Sequence, residues 1–157
     1  MTTPRHERRT LGALYTGLGL TVAATVLPYV DSVTTHLLAD HIRDGYPGYT
    51  PSRIDAAVTT YLVLLSVIGA LGAVAWLGTA RAVKAGRRWA RPAALVLFVC
   101  AATVGLTGLL TTDTSGETGL PPALGWAGMA PSMAALLAVV FLWSRPRVAG
   151  RLPRARH

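Results

Sequence analysis

Stretches free of ionisable side chains alternate along this chain with short polar segments, and four of them stand out, at residues 11–30, 56–80, 92–110 and 120–143. They run for 20, 25, 19 and 24 residues without one Asp, Glu, Lys, Arg or His. About 20 apolar residues at a rise of 1.5 Å cross a hydrocarbon core of about 30 Å, so each stretch is long enough to span a bilayer. Backbone amides in lipid must find partners inside their own segment, and no stretch alternates apolar and polar positions as a barrel strand does. The pattern predicts an all-α protein, a four-helix transmembrane bundle with spans at about 11–30, 56–80, 92–110 and 122–143.

The segments between the spans carry patterns of their own. Residues 31–44 keep a helical period: Val33, Leu37, Leu38, His41 and Ile42 fill one half of the wheel, and Ser32, His36, Asp40, Arg43 and Asp44 the other. This predicts a short amphipathic helix between spans 1 and 2, lying on the outer membrane surface or continuing the first span and packing on its neighbours. Gly45, Tyr46, Pro47, Gly48 and Tyr49 form a turn that ends it. Ser52, Arg53, Ile54 and Asp55 match a capping box for the second span, with Pro51 just before it. Pro92 opens the third span, while Pro28 in the first and Pro131 in the fourth each remove a backbone donor and are expected to bend their helices. Trp76, Trp89 and Trp143 are expected as interface anchors. Small residues one turn apart, such as Ser66 and Ala70, Gly69 and Ala73, and Ala101 and Gly105, predict close helix packing, within one chain or between chains.

Composition agrees with lipid as the solvent: 52% of residues are hydrophobic, 14% are charged, and the mean hydropathy is +0.44. A pI near 10.8 raises the question of nucleic acid, but no binding motif accompanies the charge. Topology explains it more simply. Of the 15 basic residues, 13 lie before the first span, between the second and third, or after the fourth. Arg43 and Arg53 alone lie on the other side, with six of the seven acids. Short loops rich in Lys and Arg stay in the cytoplasm, so both termini and the 81–91 loop are expected inside a plasma membrane. The domain layout is then a cytoplasmic tail at 1–10, a membrane domain at 11–143 with outer loops at 31–55 and 111–121, and a basic cytoplasmic tail at 144–157, expected to be disordered. The first apolar run exceeds the 7 to 15 residues of a signal h-region and is expected to be retained. The bilayer is the expected partner, and anionic headgroups would attract the inner face by on the order of 1 kcal/mol per basic residue near the surface.

Candidate chemistry is sparse. His36, Asp40 and Asp44 are spaced by four along one helical face, a pattern that could begin a metal site or an acid/base pair if Asp113 or Glu117 joined from the other outer loop. No HExxH or other multi-ligand motif supports this, and a solvated face explains the same residues, so no metal and no cofactor is expected. His41, on the apolar side, is either a buried switch or a ring at headgroup level. Asp55 could face the outer mouth of the bundle, although capping already accounts for it. No ionisable group lies inside a span, which argues against an ion-coupled exporter of the small multidrug type with its intramembrane carboxylate. Cys100 is the single cysteine, which excludes an intramolecular disulfide and a dithiol reductase. Thr59, Thr60, Ser66, Thr103, Thr107 and Ser132 are expected to bond helix backbone rather than to line a pocket.

In its Ala- and Arg-rich usage and in the segments HIRDGYPGYTPSRIDAAVTTYL, VKAGRRWARPAA and DTSGETGLPPALGWAG, the chain resembles uncharacterised small four-span membrane proteins of high-GC actinobacteria. That resemblance implies architecture and no catalytic residue. Two functional readings follow from the residues. One is a non-enzymatic membrane component that packs against itself or a membrane-protein partner. The other is a small membrane-embedded enzyme or lipid-binding protein with an outward-opening site built from His36, Asp40, Asp44 and Asp55.

Overall fold

The computed structural model describes residues 4–112, 116 and 118–144. They form five helices: α1 (Pro4–Val33), α2 (Leu37–Gly45), α3 (Pro51–Lys84), α4 (Ala90–Leu110) and α5 (Pro122–Trp143). All but α2 are long and apolar enough to cross a membrane, and they pack as an antiparallel helical bundle. One end gathers the start of α1, the α3–α4 turn and the end of α5, and is called the basic end; the other carries α2.

Small side chains decide how closely these helices approach. The buried face of α5 is built on Ala134, Ala135 and Ala138, which lets it sit between α1 and α4. With Leu14, Trp76, Ala80 and Leu97 these alanines form the main core, in the half of the bundle nearer the basic end. α3 packs chiefly on α1 and touches α4 much less, although the two are consecutive. Gly69 of α3 lies so close to Thr25 of α1 that a Cβ there would sit 2.0 Å from the threonine hydroxyl oxygen. Gly105 of α4 meets Met129 of α5 in the same way. Gly69 and Gly105 therefore pack within one chain, while Ala70 is exposed.

Trp76 does not serve as an interface anchor. Its ring is 2% exposed, lies over Gly17 of α1, and donates its indole N–H to Thr21 Oγ1 at 2.8 Å. Lipid tails are as apolar as a core, so burial alone gains little; close dispersion contact and a satisfied indole donor hold the ring inside. Trp89 and Trp143 are half exposed at the basic end, as an anchoring role requires. Nearer the α2 end, Tyr29 bonds Ser66 across α1 and α3 at 2.6 Å.

Helix boundaries depart from the charge-free windows. α1 starts at Pro4, because charged residues at a membrane surface can continue a helix that the hydrocarbon core does not contain. α1 and α5 run unbroken through Pro28 and Pro131, both buried. Ser52 and Asp55 form no capping box: Thr50 is the N-cap and Pro51 takes the first helical position, where its fixed φ and missing N–H cost nothing. Ser52 is already inside the first turn, and its hydroxyl pairs with that of Thr50 at 3.1 Å. The 144–157 tail lies outside the described residues beyond Ser144.

Candidate functional site

The α2 end is organised by Asp31, a residue the hydrophobic pattern passes over. Its carboxylate is buried in the last turn of α1, where it accepts the Leu37 N–H at 2.9 Å, the Leu38 N–H at 3.0 Å and the Thr35 hydroxyl. Its carbonyl also accepts the His36 N–H at 2.8 Å. Leu37 and Leu38 open α2, so their amides are among the four that a helix start leaves unpaired, and a carboxylate there also meets the positive end of the helix dipole. The 31–44 segment is therefore two helices with a corner at 34–36, rather than one continuous period. At that corner His36 adopts φ 54°, a left-handed conformation uncommon outside glycine. The sequence signal was available: an Asp at the end of an apolar run, then Thr34, Thr35 and His36, then a new apolar start.

Beyond the corner, the predicted apolar face of α2 is partly realised. Leu38 and Ile42 are buried against Ile54, Ala57, Val58, Tyr61, Leu120 and Leu124, so α2 sits on the end of its own bundle. Val33 and Leu37 remain exposed. His41 is half-buried and donates from Nε2 to the Thr118 carbonyl, which ties α2 to the segment entering α5 and fixes the proton on Nε2. It is neither fully buried nor without a partner.

The remaining polar candidates divide. His36, Asp40 and Asp55 border one open cleft of about 340 Å³, together with Ala39, Arg43, Pro51 and Ile54. Asp44 is exposed and lies outside that lining. Asp40 is engaged by Arg43 in an ion pair whose side chains are 57% and 59% exposed, a geometry that contributes little to stability. His36 and Asp55 are exposed, and among the described residues no side-chain hydrogen bond joins them to Asp40 or to each other; His36 and Asp40 share only the backbone bond from the Asp40 N–H to the His36 carbonyl at 2.9 Å. Beside the cleft, Tyr46 stacks on Tyr49 with ring centroids 4.7 Å apart, and the Arg53 guanidinium lies 5.8 Å from the Tyr49 ring centre. Asp113 and Glu117, the ligands that would have completed a metal set, lie outside the described residues; among those described, no three His, Cys, Asp or Glu gather as a metal site. A cleft of this kind can hold a small polar or zwitterionic group against a mixed-charge wall. It does not pair a base with an orienting acid.

The hydroxyls inside the spans mostly bond their own helices, as expected. Thr59, Thr60, Ser66 and Ser132 donate to the carbonyls of Asp55, Ala56, Leu62 and Met129. Thr103 and Thr107 are exposed on α4, on the side that also carries Cys100. Comparison of the chain with protein-family models, with curated proteins and with solved structures finds no match in any of the three.

Proposed function

We propose that this chain is a plasma-membrane component without a catalytic role, acting through helix packing against a second membrane-embedded helix, from another copy of itself or from a partner protein. The observation that carries the reading is an outward row on α1. Gly12, Thr16, Gly19 and Ala23 are all exposed, recur at helical spacing, and have open space where Gly12 and Gly19 would carry a Cβ. Comparable small residues on the inner faces are already occupied by Thr25 and Met129. Against acyl chains a small residue loses contact that a larger one would make, whereas against another helix it permits close backbone approach. In this reading both termini are cytoplasmic, on the strength of the Lys and Arg bias. The test is purification in mild detergent, with identification of co-purifying proteins, of the native chain and of Gly12→Ile/Gly19→Ile. The native chain should emerge as an oligomer or with a partner and the variant alone; a native chain that is a lone monomer refutes the proposal.

A second reading is favoured by the convergence of His36, Asp40 and Asp55 on one cleft. A lipid headgroup or other small ligand held there would make the α2 end an outward-opening site. That reading requires His36→Ala to abolish a ligand-dependent rise in melting temperature that Leu38→Ala leaves in place.

A further inference from the structure

We propose that the α3–α4 turn is a binding surface for anionic phospholipid headgroups in the leaflet at the basic end, independent of the α1 row. Arg81, Arg87, Arg88 and Arg91 are all exposed, and the one ion pair among the described residues is Arg43 with Asp40 at the other end. Four uncompensated guanidinium groups within eleven residues repel one another, and the counter-charge at hand in a bilayer is lipid phosphate. A planar guanidinium meets phosphate oxygens with two parallel N–H donors, which an ammonium cannot do.

An orientation signal needs only a count of cations, but this turn also fixes where they stand. Gly86 takes φ 61°, and three bonds close the end of α3: Ala85 N–H to Arg81 O at 2.9 Å, Gly86 N–H to Val83 O at 3.0 Å, and Arg87 N–H to Ala82 O at 3.0 Å. Lys84 reaches back over the Tyr15 ring at 5.3 Å and fastens the turn to α1. Trp89 is 52% exposed just before α4, where an amphipathic ring suits the headgroup layer. Fixed backbone, unpaired Arg side chains and an interfacial indole together form a surface for a phosphodiester held beside an acyl chain.

The full chain is reconstituted in equal parts phosphatidylglycerol and phosphatidylcholine, re-extracted in mild detergent, and its retained lipids are quantified by mass spectrometry. Each cation near an anionic surface is worth roughly five-fold in affinity. Phosphatidylglycerol should be enriched by the native chain and by Arg53→Gln, and its enrichment should fall at least roughly ten-fold in Arg87→Gln/Arg88→Gln/Arg91→Gln. Equal enrichment in the triple variant, or none in the native chain, overturns the proposal. Should the triple variant fail to fold, salt decides on the native chain: the enrichment must collapse as the screening length falls from about 10 Å at 0.1 M to about 3 Å at 1 M. Enrichment that persists at high salt overturns it equally.

Discussion

Replacing Gly17 by Ala puts a Cβ 2.1 Å from the Trp76 ring, at Cη2, with two further ring atoms at 2.4 and 2.5 Å. Ordinary contact lies beyond about 3.4 Å, so the ring or the helices must yield by more than 1 Å, and neither can do so without cost. The indole is held by its 2.8 Å bond to Thr21, whose own hydroxyl donates to the Gly17 carbonyl at 2.9 Å. Overpacking of this kind costs about 1–3 kcal/mol, and losing the interhelical bond adds about 0.6 kcal/mol, up to about 1.7. The expected loss is therefore about 2–4 kcal/mol, before the small helix-propensity gain of Ala over Gly, about 1 kcal/mol at most. Gly78→Ala on α3, where a Cβ meets nothing within 4 Å, isolates that gain and should be neutral or slightly stabilising. Trp76→Phe removes the atoms that clash, so Gly17→Ala/Trp76→Phe should cost clearly less than the sum of its singles. Equilibrium unfolding in mixed mild-detergent and dodecyl sulfate micelles, followed by far-UV circular dichroism, measures all four variants. A Gly17→Ala loss no larger than that of Gly78→Ala, or strict additivity in the double variant, refutes the packing described for α1 and α3.

Asp31→Ala leaves the Leu37 and Leu38 amides without their acceptor and should lower stability by about 1–3 kcal/mol in the same assay, with Asp31→Asn intermediate; a loss below about 0.5 kcal/mol contradicts the corner described at the α2 end. Reporter fusions after Arg88 should behave as cytoplasmic and fusions at Gly48 as external, and the reverse pattern would invert the orientation. Cys100 is exposed on a membrane-spanning helix, so it should resist an impermeant maleimide in intact membranes; rapid labelling would mean that α4 lines a water-filled path. Zinc should leave the melting temperature unchanged, and a saturable rise lost in both His36→Ala and Asp40→Ala would make the outer cleft a metal site.

The spans were legible because lipid excludes charge, so a charge-free window records where the hydrocarbon lies. It does not record where a helix ends, which is why α1 reaches back to Pro4 and α3 starts at Pro51, ahead of its window. The apolar face of α2 was legible at Leu38 and Ile42, but periodicity alone is blind to the corner at His36, which is closed by the Asp31 carboxylate and signalled only by the residue types from Asp31 to His36. Trp76 was misplaced because a tryptophan near a span end suggests the headgroup layer. Its helical row with Leu62, Ser66, Gly69 and Ala80 is the signal that points inward. Of the proposed outer site, the sequence brought out residue types and spacing. It could not bring out that Asp40 is taken by Arg43, that Asp44 stands apart, or that Asp55 reaches the same cleft from α3.

The central claim, that α1 presents a packing row to another protein, is tested most directly by a photo-crosslinking amino acid placed at position 16 in cells expressing the full chain. The control position is 74, where Val74 is 70% exposed on α3. The account predicts a discrete protein adduct from position 16, to a second copy or to one partner, and only lipid adducts from position 74. Lipid adducts alone from both positions would contradict it.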